Sequence, residues 1–305
     1  MNKALMNKKY LMTYLLVGAL ACYAFYAYGP YAKSRNATDA SETSLATPEQ
    51  LIVESQGEVD LNANNEELIN SYTAKIEASP EDAESYYKRG LVYQAMTQYR
   101  LAIKDFTRAL QIMPKSHNAL YARSLSYQKQ NMLDEAVADL TAAIDIDPNF
   151  IAAYNTRGIV YSEQGKVQEA TADYNKALSI NPKFYQASFN LGILYQQQKQ
   201  YPEAKAAFND AIANNVPAAD ATQQAIASSK TDLNNAYMHR STVEMETNNL
   251  NAALEDVNYV ISNDPKNPEA FRLRSQIYQK QNNLADSAAD AATADSLGME
   301  KLLKS

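Results

Sequence analysis

Two histidines and one cysteine are the chain's whole supply of imidazole and thiol. His117 and His239 lie far apart with no neighbouring ligands, and the lone Cys22 can form no intramolecular disulfide, thiolate zinc cage or dithiol redox pair. No Gly-rich phosphate loop, His-Glu-x-x-His pair or nucleophile motif occurs. The carboxylates are spread out rather than convergent, so neither an enzyme nor a cofactor or metal site is expected. His117 reads as a surface residue at a helix start, and His239 as a residue facing a groove. The stronger signal is in charge spacing. An arginine is followed sixteen places on by an aspartate at Arg89/Asp105, Arg123/Asp139, Arg157/Asp173, Arg240/Asp256 and Arg274/Asp290. At the one other corresponding place the two residues are Leu191 and Ala207, so both charges vanish together. An unpaired semi-buried charge is costly, so each pair is expected to be a salt bridge with a structural role.

The elements that position these pairs follow from periodicity. Pro80, Pro114, Pro148 and Pro182 fall at intervals of 34 residues, with Arg-Gly or Arg-Ser, tyrosines and alanines recurring in the same order between them. Tyr86 to Tyr93 reads YYKRGLVY, and Tyr154 to Tyr161 reads YNTRGIVY. The pattern resembles the tetratricopeptide repeat family. Its first large position falls on Tyr86, Leu120, Tyr154, Ser188, Tyr237 and Phe271, and its small position on Gly90, Ser124, Gly158, Gly192, Ser241 and Ser275. Its aromatic position falls on Tyr93, Tyr127, Tyr161, Tyr195, Glu244 and Tyr278. In helix two the alanine positions start at Ala102 and Ala109, and the large position is Phe106, Leu140, Tyr174, Phe208, Val257 and Ala291. The resemblance implies an all-α fold: six helical hairpins stacked as an α-solenoid, a right-handed superhelix. A hairpin this small cannot bury its own apolar face, so it must stack on its neighbours.

The repeats occupy residues 83–218 and 234–300, with a capping helix at 66–82 and a short tail at 301–305. The interval from Pro182 to Pro265 is 83 residues, two units plus 15, which places an insertion at 219–233. Asp220 is a candidate helix cap there, and the insert is expected either to lengthen helix two of unit four or to form a short extra helix. Unit six ends in an alanine-, serine- and aspartate-rich helix, polar enough that the stretch from Gly298 to Ser305 need not add a capping helix.

Residues 1–33 comprise a short stub and an uncharged segment, Tyr10 to Tyr28, which at helical rise spans roughly 28 Å, close to the bilayer core. Lys3, Lys8 and Lys9 precede it, so a single-pass anchor is expected, with the N-terminus cytoplasmic and the repeats outside the cytoplasm. Alternatives are a cleaved signal peptide, a cytoplasm-facing anchor, or a lipoprotein in which Ala19-Leu20-Ala21 precedes an acylated Cys22. Residues 34–65, rich in Ser, Thr, Asn, Asp and Glu, read as a flexible linker.

A net charge of −7 without a basic run excludes a non-specific nucleic-acid binder. The resemblance implies that the first helix of each unit lines a concave groove for extended peptides or a partner helix. On this chain the groove positions are Tyr87, Lys88, Leu91 and Gln94 in unit one, and Tyr121, Leu125 and Gln128 in unit two. Units three and four supply Asn155, Ile159, Phe189, Asn190, Ile193 and Gln196. The Lys and Asn of the family's carboxylate clamp are replaced by Tyr87 and Leu91, so a chaperone C-terminus is not an expected ligand. The expected partners are other proteins. The function read from the sequence is a membrane-tethered scaffold; the alternatives are a self-associating homo-oligomer and a non-catalytic accessory subunit of an envelope complex.

Overall fold

The computed structural model describes residues 65–217 and 223–302, which form thirteen α-helices and no strand. Tyr10 to Tyr28, Cys22, Asp220 and nearly all of the linker lie outside them. Among the described residues no helix is long and apolar enough to cross a membrane. A lone helix, α1 (Asn65–Ala78), is followed by six hairpins. These are α2 (Ala83–Ala95) with α3 (Tyr99–Ile112), α4 (His117–Lys129) with α5 (Leu133–Ile146), and α6 (Ile151–Glu163) with α7 (Val167–Ile180). The others are α8 (Tyr185–Gln197) with α9 (Tyr201–Asn214), α10 (Gln223–Glu246) with α11 (Leu250–Asn263), and α12 (Pro268–Lys280) with α13 (Leu284–Leu302).

Local chemistry sets both ends of each hairpin. The first helix ends where one residue turns left-handed: Thr97, Asn131, Gly165, Lys199, Asn248 and Asn282 all have φ between 58° and 73°. Beyond it, the N–H of Gln98 donates to the Tyr93 carbonyl at 2.8 Å and the N–H of Thr97 to the Gln94 carbonyl at 3.0 Å. This is the Schellman pairing, and it recurs in all six units. The second helix stops at Met113, Asp147, Asn181 and Asp264, each followed by the repeat proline, whose ring cannot continue the hydrogen-bond ladder.

Residues sixteen apart face each other across the hairpin, and two of these pairings shape the fold. All five expected Arg–Asp pairs form. Arg157 donates from Nε and Nη2 to the two Asp173 oxygens at 2.8 Å each, and the other four pairs repeat this fork at 2.6–2.9 Å. The remaining Nη1 reaches back to the preceding helix: Arg89 to Thr73, Arg123 to Thr107, Arg157 to Thr141, Arg240 to Asn209 and Arg274 to Asn258, at 2.7–3.0 Å. Each arginine thus ties its own hairpin together and also binds it to the unit before. In unit four Leu191 and Ala207 are buried instead. The neighbouring pair is steric. A Cβ on Gly90, Gly158 or Gly192 would fall 2.5–2.7 Å from the ring of Phe106, Tyr174 or Phe208. Where the small residue is Ser124, Ser241 or Ser275, the partner sixteen on is Leu140, Val257 or Ala291, which leaves room for the hydroxyl.

Two terminations differ from expectation. The insert does not lengthen helix two of unit four, since α9 has the same 14 residues as α3, α5, α7 and α11. Residues 223–233 instead extend the first helix of unit five, making α10 24 residues long. No Gly or Pro interrupts Gln223 to Glu246, and side chains moor the extension to unit four. Tyr185 Oη donates to Asp232 at 2.7 Å, and Asn215 exchanges two 2.8 Å bonds with Ser229. At the other end, α13 runs through Gly298 to Leu302 rather than ending ahead of a separate tail.

Candidate functional site

Stacking the hairpins sets the first helices of successive units side by side. Five of the thirteen positions are withdrawn from solvent: Leu91 (1% exposed), Gln94 (9%), Gln128 (7%), Asn155 (7%) and Phe189 (4%). They join one unit to the next. Gln94 Nε2 donates to the Ala122 carbonyl and to Ser126 Oγ at 2.9 Å each, and Asn155 Oδ1 accepts from Asn190 Nδ2 at 2.9 Å. Tyr87, Lys88, Tyr121, Leu125, Ile159, Asn190, Ile193 and Gln196 are half-buried. Lys88 is paired with Glu84 at 2.8 Å, and Tyr121 Oη lies 3.3 Å from Thr156 Oγ1. Burial pushes the Tyr87 phenol well above its ordinary range, with the neighbouring Tyr121 adding to the effect. Leu125, Ile159 and Ile193 recur at the 34-residue interval. They form an aliphatic row flanked by amide side chains.

One spacing recurs along the seams between units. Residues 35 apart on successive first helices meet in Tyr121 with Thr156, Asn155 with Asn190 and Gln128 with Glu163. Past the 15-residue insert the same seam brings Phe189 to His239, ring centroids 5.5 Å apart. The His239 ring also stacks on Phe208 at 5.4 Å, and its Nδ1 is 2.8 Å from Gln196 Oε1. His239 was expected to face the groove. Its imidazole packs between Phe189 and Phe208 beside the groove position Gln196, and burial drops its pKa to about 4. His117 begins α4 and meets Phe150 edge-on at 5.3 Å.

Sequence reasoning missed Glu163 and Lys129. They occupy the last turns of α6 and α4, one position beyond the amide row, and only the inter-helix contact of Gln128 with Glu163 reveals them. Burial raises the Glu163 carboxyl against the pull of the Gln128 bond and of Lys129. Burial likewise lowers Lys129, against the attraction of Glu163. Glu244 also departs from the repeat, replacing the aromatic of the other units. It is 3% exposed and held by Lys205 at 2.5 Å and Asn249 at 2.9 Å, so its countercharge is supplied from unit four. Among the described residues no three His, Cys, Asp or Glu side chains converge to hold a metal.

A stack of helical hairpins whose first helices stand side by side along one face has the architecture of an α-solenoid interaction scaffold. The chain carries tetratricopeptide repeats. Tetratricopeptide repeat models match residues 83–116, 151–184 and 173–206, and a TPR repeat model matches 126–165. No curated protein matches the sequence. Among solved structures, a tetratricopeptide repeat protein from Parabacteroides merdae is 19% identical with a TM-score of 0.59, over 85% of this chain and 98% of that one. PilF of Pseudomonas aeruginosa is 19% identical with a TM-score of 0.56, over 72% and 89%. MamA of Desulfovibrio magneticus is 16% identical with a TM-score of 0.52, over 60% and 96%. At these identities what is shared is the fold.

Proposed function

We propose that the protein is a membrane-tethered adaptor that docks a peptide segment or helix of a partner protein along the first helices of units one to four. The observation that carries this reading is the half-buried row Leu125, Ile159 and Ile193, bordered by Tyr121, Asn190 and Gln196. Apolar anchors beside amides suit a partner held by side-chain burial and by hydrogen bonds to its backbone. The row does not continue into units five and six, where the same places are Thr242 and Gln276. The docking surface is therefore confined to the first four units. Tyr10 to Tyr28 is the proposed tether, holding the repeats at the extracytoplasmic face.

The test is crosslinking of the full-length chain in intact cells, wild type against Leu125→Asp/Ile159→Asp. Loss of discrete crosslinked partners in the variant, with unchanged helical content, supports the groove. Identical crosslinks in both reject it. Protease digestion of intact cells, with the mass of the mature N-terminus, tests the tether. Protected repeats with Met1 retained would put them in the cytoplasm, and a mature chain beginning at acylated Cys22 would replace the helical anchor with lipid.

A further inference from the structure

We infer that the groove takes a partner segment carrying a lysine or arginine among aliphatic residues, and that Glu163 receives the basic group. The inference rests on the groove reading above and names the chemistry of its ligand. Glu163 Oε1 accepts from Gln128 Nε2 at 2.8 Å, while Oε2 is out of contact with solvent and has no hydrogen-bond donor. An ionised carboxylate offers about four acceptor sites, and one left half satisfied at a partly buried position is short of donors. Rotation about its terminal torsion, which is broad, turns that oxygen toward an arriving group. The shortage is shared along the first helices, because Gln94 Oε1 and Asn118 Oδ1 are also buried without a donor. A ligand that brings donors is therefore favoured over one that brings acceptors. An acidic side chain would add a like charge beside Glu163.

The side chains around Glu163 fit a basic residue. Ile159 lies one helical turn before Glu163 on α6 and so shares its face, as Leu125 does with Lys129 on α4. A lysine or arginine stem can lie along Ile159 while its charged head reaches the carboxylate. Lys129 draws on the same carboxylate from the neighbouring helix and competes with the ligand's cation. A guanidinium supplies more donors than the single contact now made by Gln128, in a fork that matches both oxygens.

The experiment is selection of random peptides displayed on phage against the full-length chain in detergent, followed by binding of the enriched peptides to variants. Enriched peptides should carry Lys or Arg flanked by Leu, Ile or Val, bind Glu163→Gln at least about tenfold more weakly, and bind Lys129→Gln more tightly. Their binding should also be lost on Ile159→Asp, or on Ile159→Thr should the aspartate variant not fold. Peptides without a basic residue, or bound equally by Glu163→Gln, overturn this inference and leave the groove reading standing. No enrichment, or binding that survives the Ile159 change, overturns the groove reading and this inference with it.

Discussion

Asp173→Ala should be far more damaging than replacing both Asp173 and its partner. Arg157 makes two 2.8 Å bonds to Asp173 and a 3.0 Å bond to Thr141, and Asp173 is 5% exposed. Removing the carboxylate alone strands a guanidinium pressed between Tyr154 and Tyr161, with ring centroids 5.7 and 5.8 Å away. Breaking one side of a buried pair costs about 3–5 kcal/mol. The Arg157 head is not fully sealed, its side chain being 15% exposed, so the lower end, about 3 kcal/mol, is expected. The double change Arg157→Leu/Asp173→Ala reproduces what the chain itself has at Leu191 and Ala207, and should cost no more than about 1 kcal/mol. A double-mutant cycle measures the difference. Urea unfolding followed by circular dichroism gives the global values, and hydrogen exchange in α6 and α7 covers a repeat array that does not melt as one unit. If the single losses simply add in the double variant, the pair is not an interdependent clasp and the account of unit four fails with it.

His239 should make the array acid-sensitive. Its folded pKa lies below the unfolded value, so the stability it confers is complete above about pH 6.5 and is lost as pH falls toward about 4, by no more than about 3 kcal/mol. A pH series of melts comparing wild type with His239→Phe checks this, and equal acid sensitivity would refute it. Thr97, a β-branched residue at φ 59°, should be improved by Thr97→Asn or Thr97→Gly, raising stability by about 1 kcal/mol in thermal melts. Gly165→Ala should lower it by a similar amount, from backbone strain alone, because nothing lies within 4 Å of the added carbon. Gly158→Ser should cost about 1–3 kcal/mol by forcing the Tyr174 ring aside, and Tyr174→Leu in the same chain should recover most of the loss, as measured by denaturant midpoints.

The legible parts of this fold were those written by repetition. The prolines, the Arg–Asp spacing and the small-residue row are copied from unit to unit, and comparing copies separated structural charges from functional candidates. The reach of each arginine back to Thr73, Thr107, Thr141, Asn209 or Asn258 was not read, although its spacing is also sixteen except where the insert widens it at Arg240. A neutral hydroxyl or amide carries no sign to be matched, and its loss leaves no conspicuous orphan. The left-handed turns could have been read at Asn131, Gly165, Asn248 and Asn282, residues that tolerate positive φ, but Thr97 and Lys199 hide the column. The site was less legible than the frame. Helix periodicity selects the inner face, but whether Gln94 or Phe189 ends as wall or as mortar depends on how closely successive helices approach, and the seam spacing of 35 emerges only from the superhelical stagger. The insert falls at the expected place but joins the other neighbour, because its composition suits either helix and the Asn215–Ser229 and Tyr185–Asp232 bonds moor it as part of α10.

The arginine ladder has a direction. Every arginine takes its neutral acceptor from a helix earlier in the chain, beginning with Thr73 on α1. A polypeptide leaving the ribosome therefore displays each receptor before the cation that needs it is made. At the far end the corresponding place is Ala292, which offers nothing to a following arginine. Unit four, with Leu191 and Ala207 in place of the pair, still stacks on unit three, so the ladder fastens joints without being needed at every one.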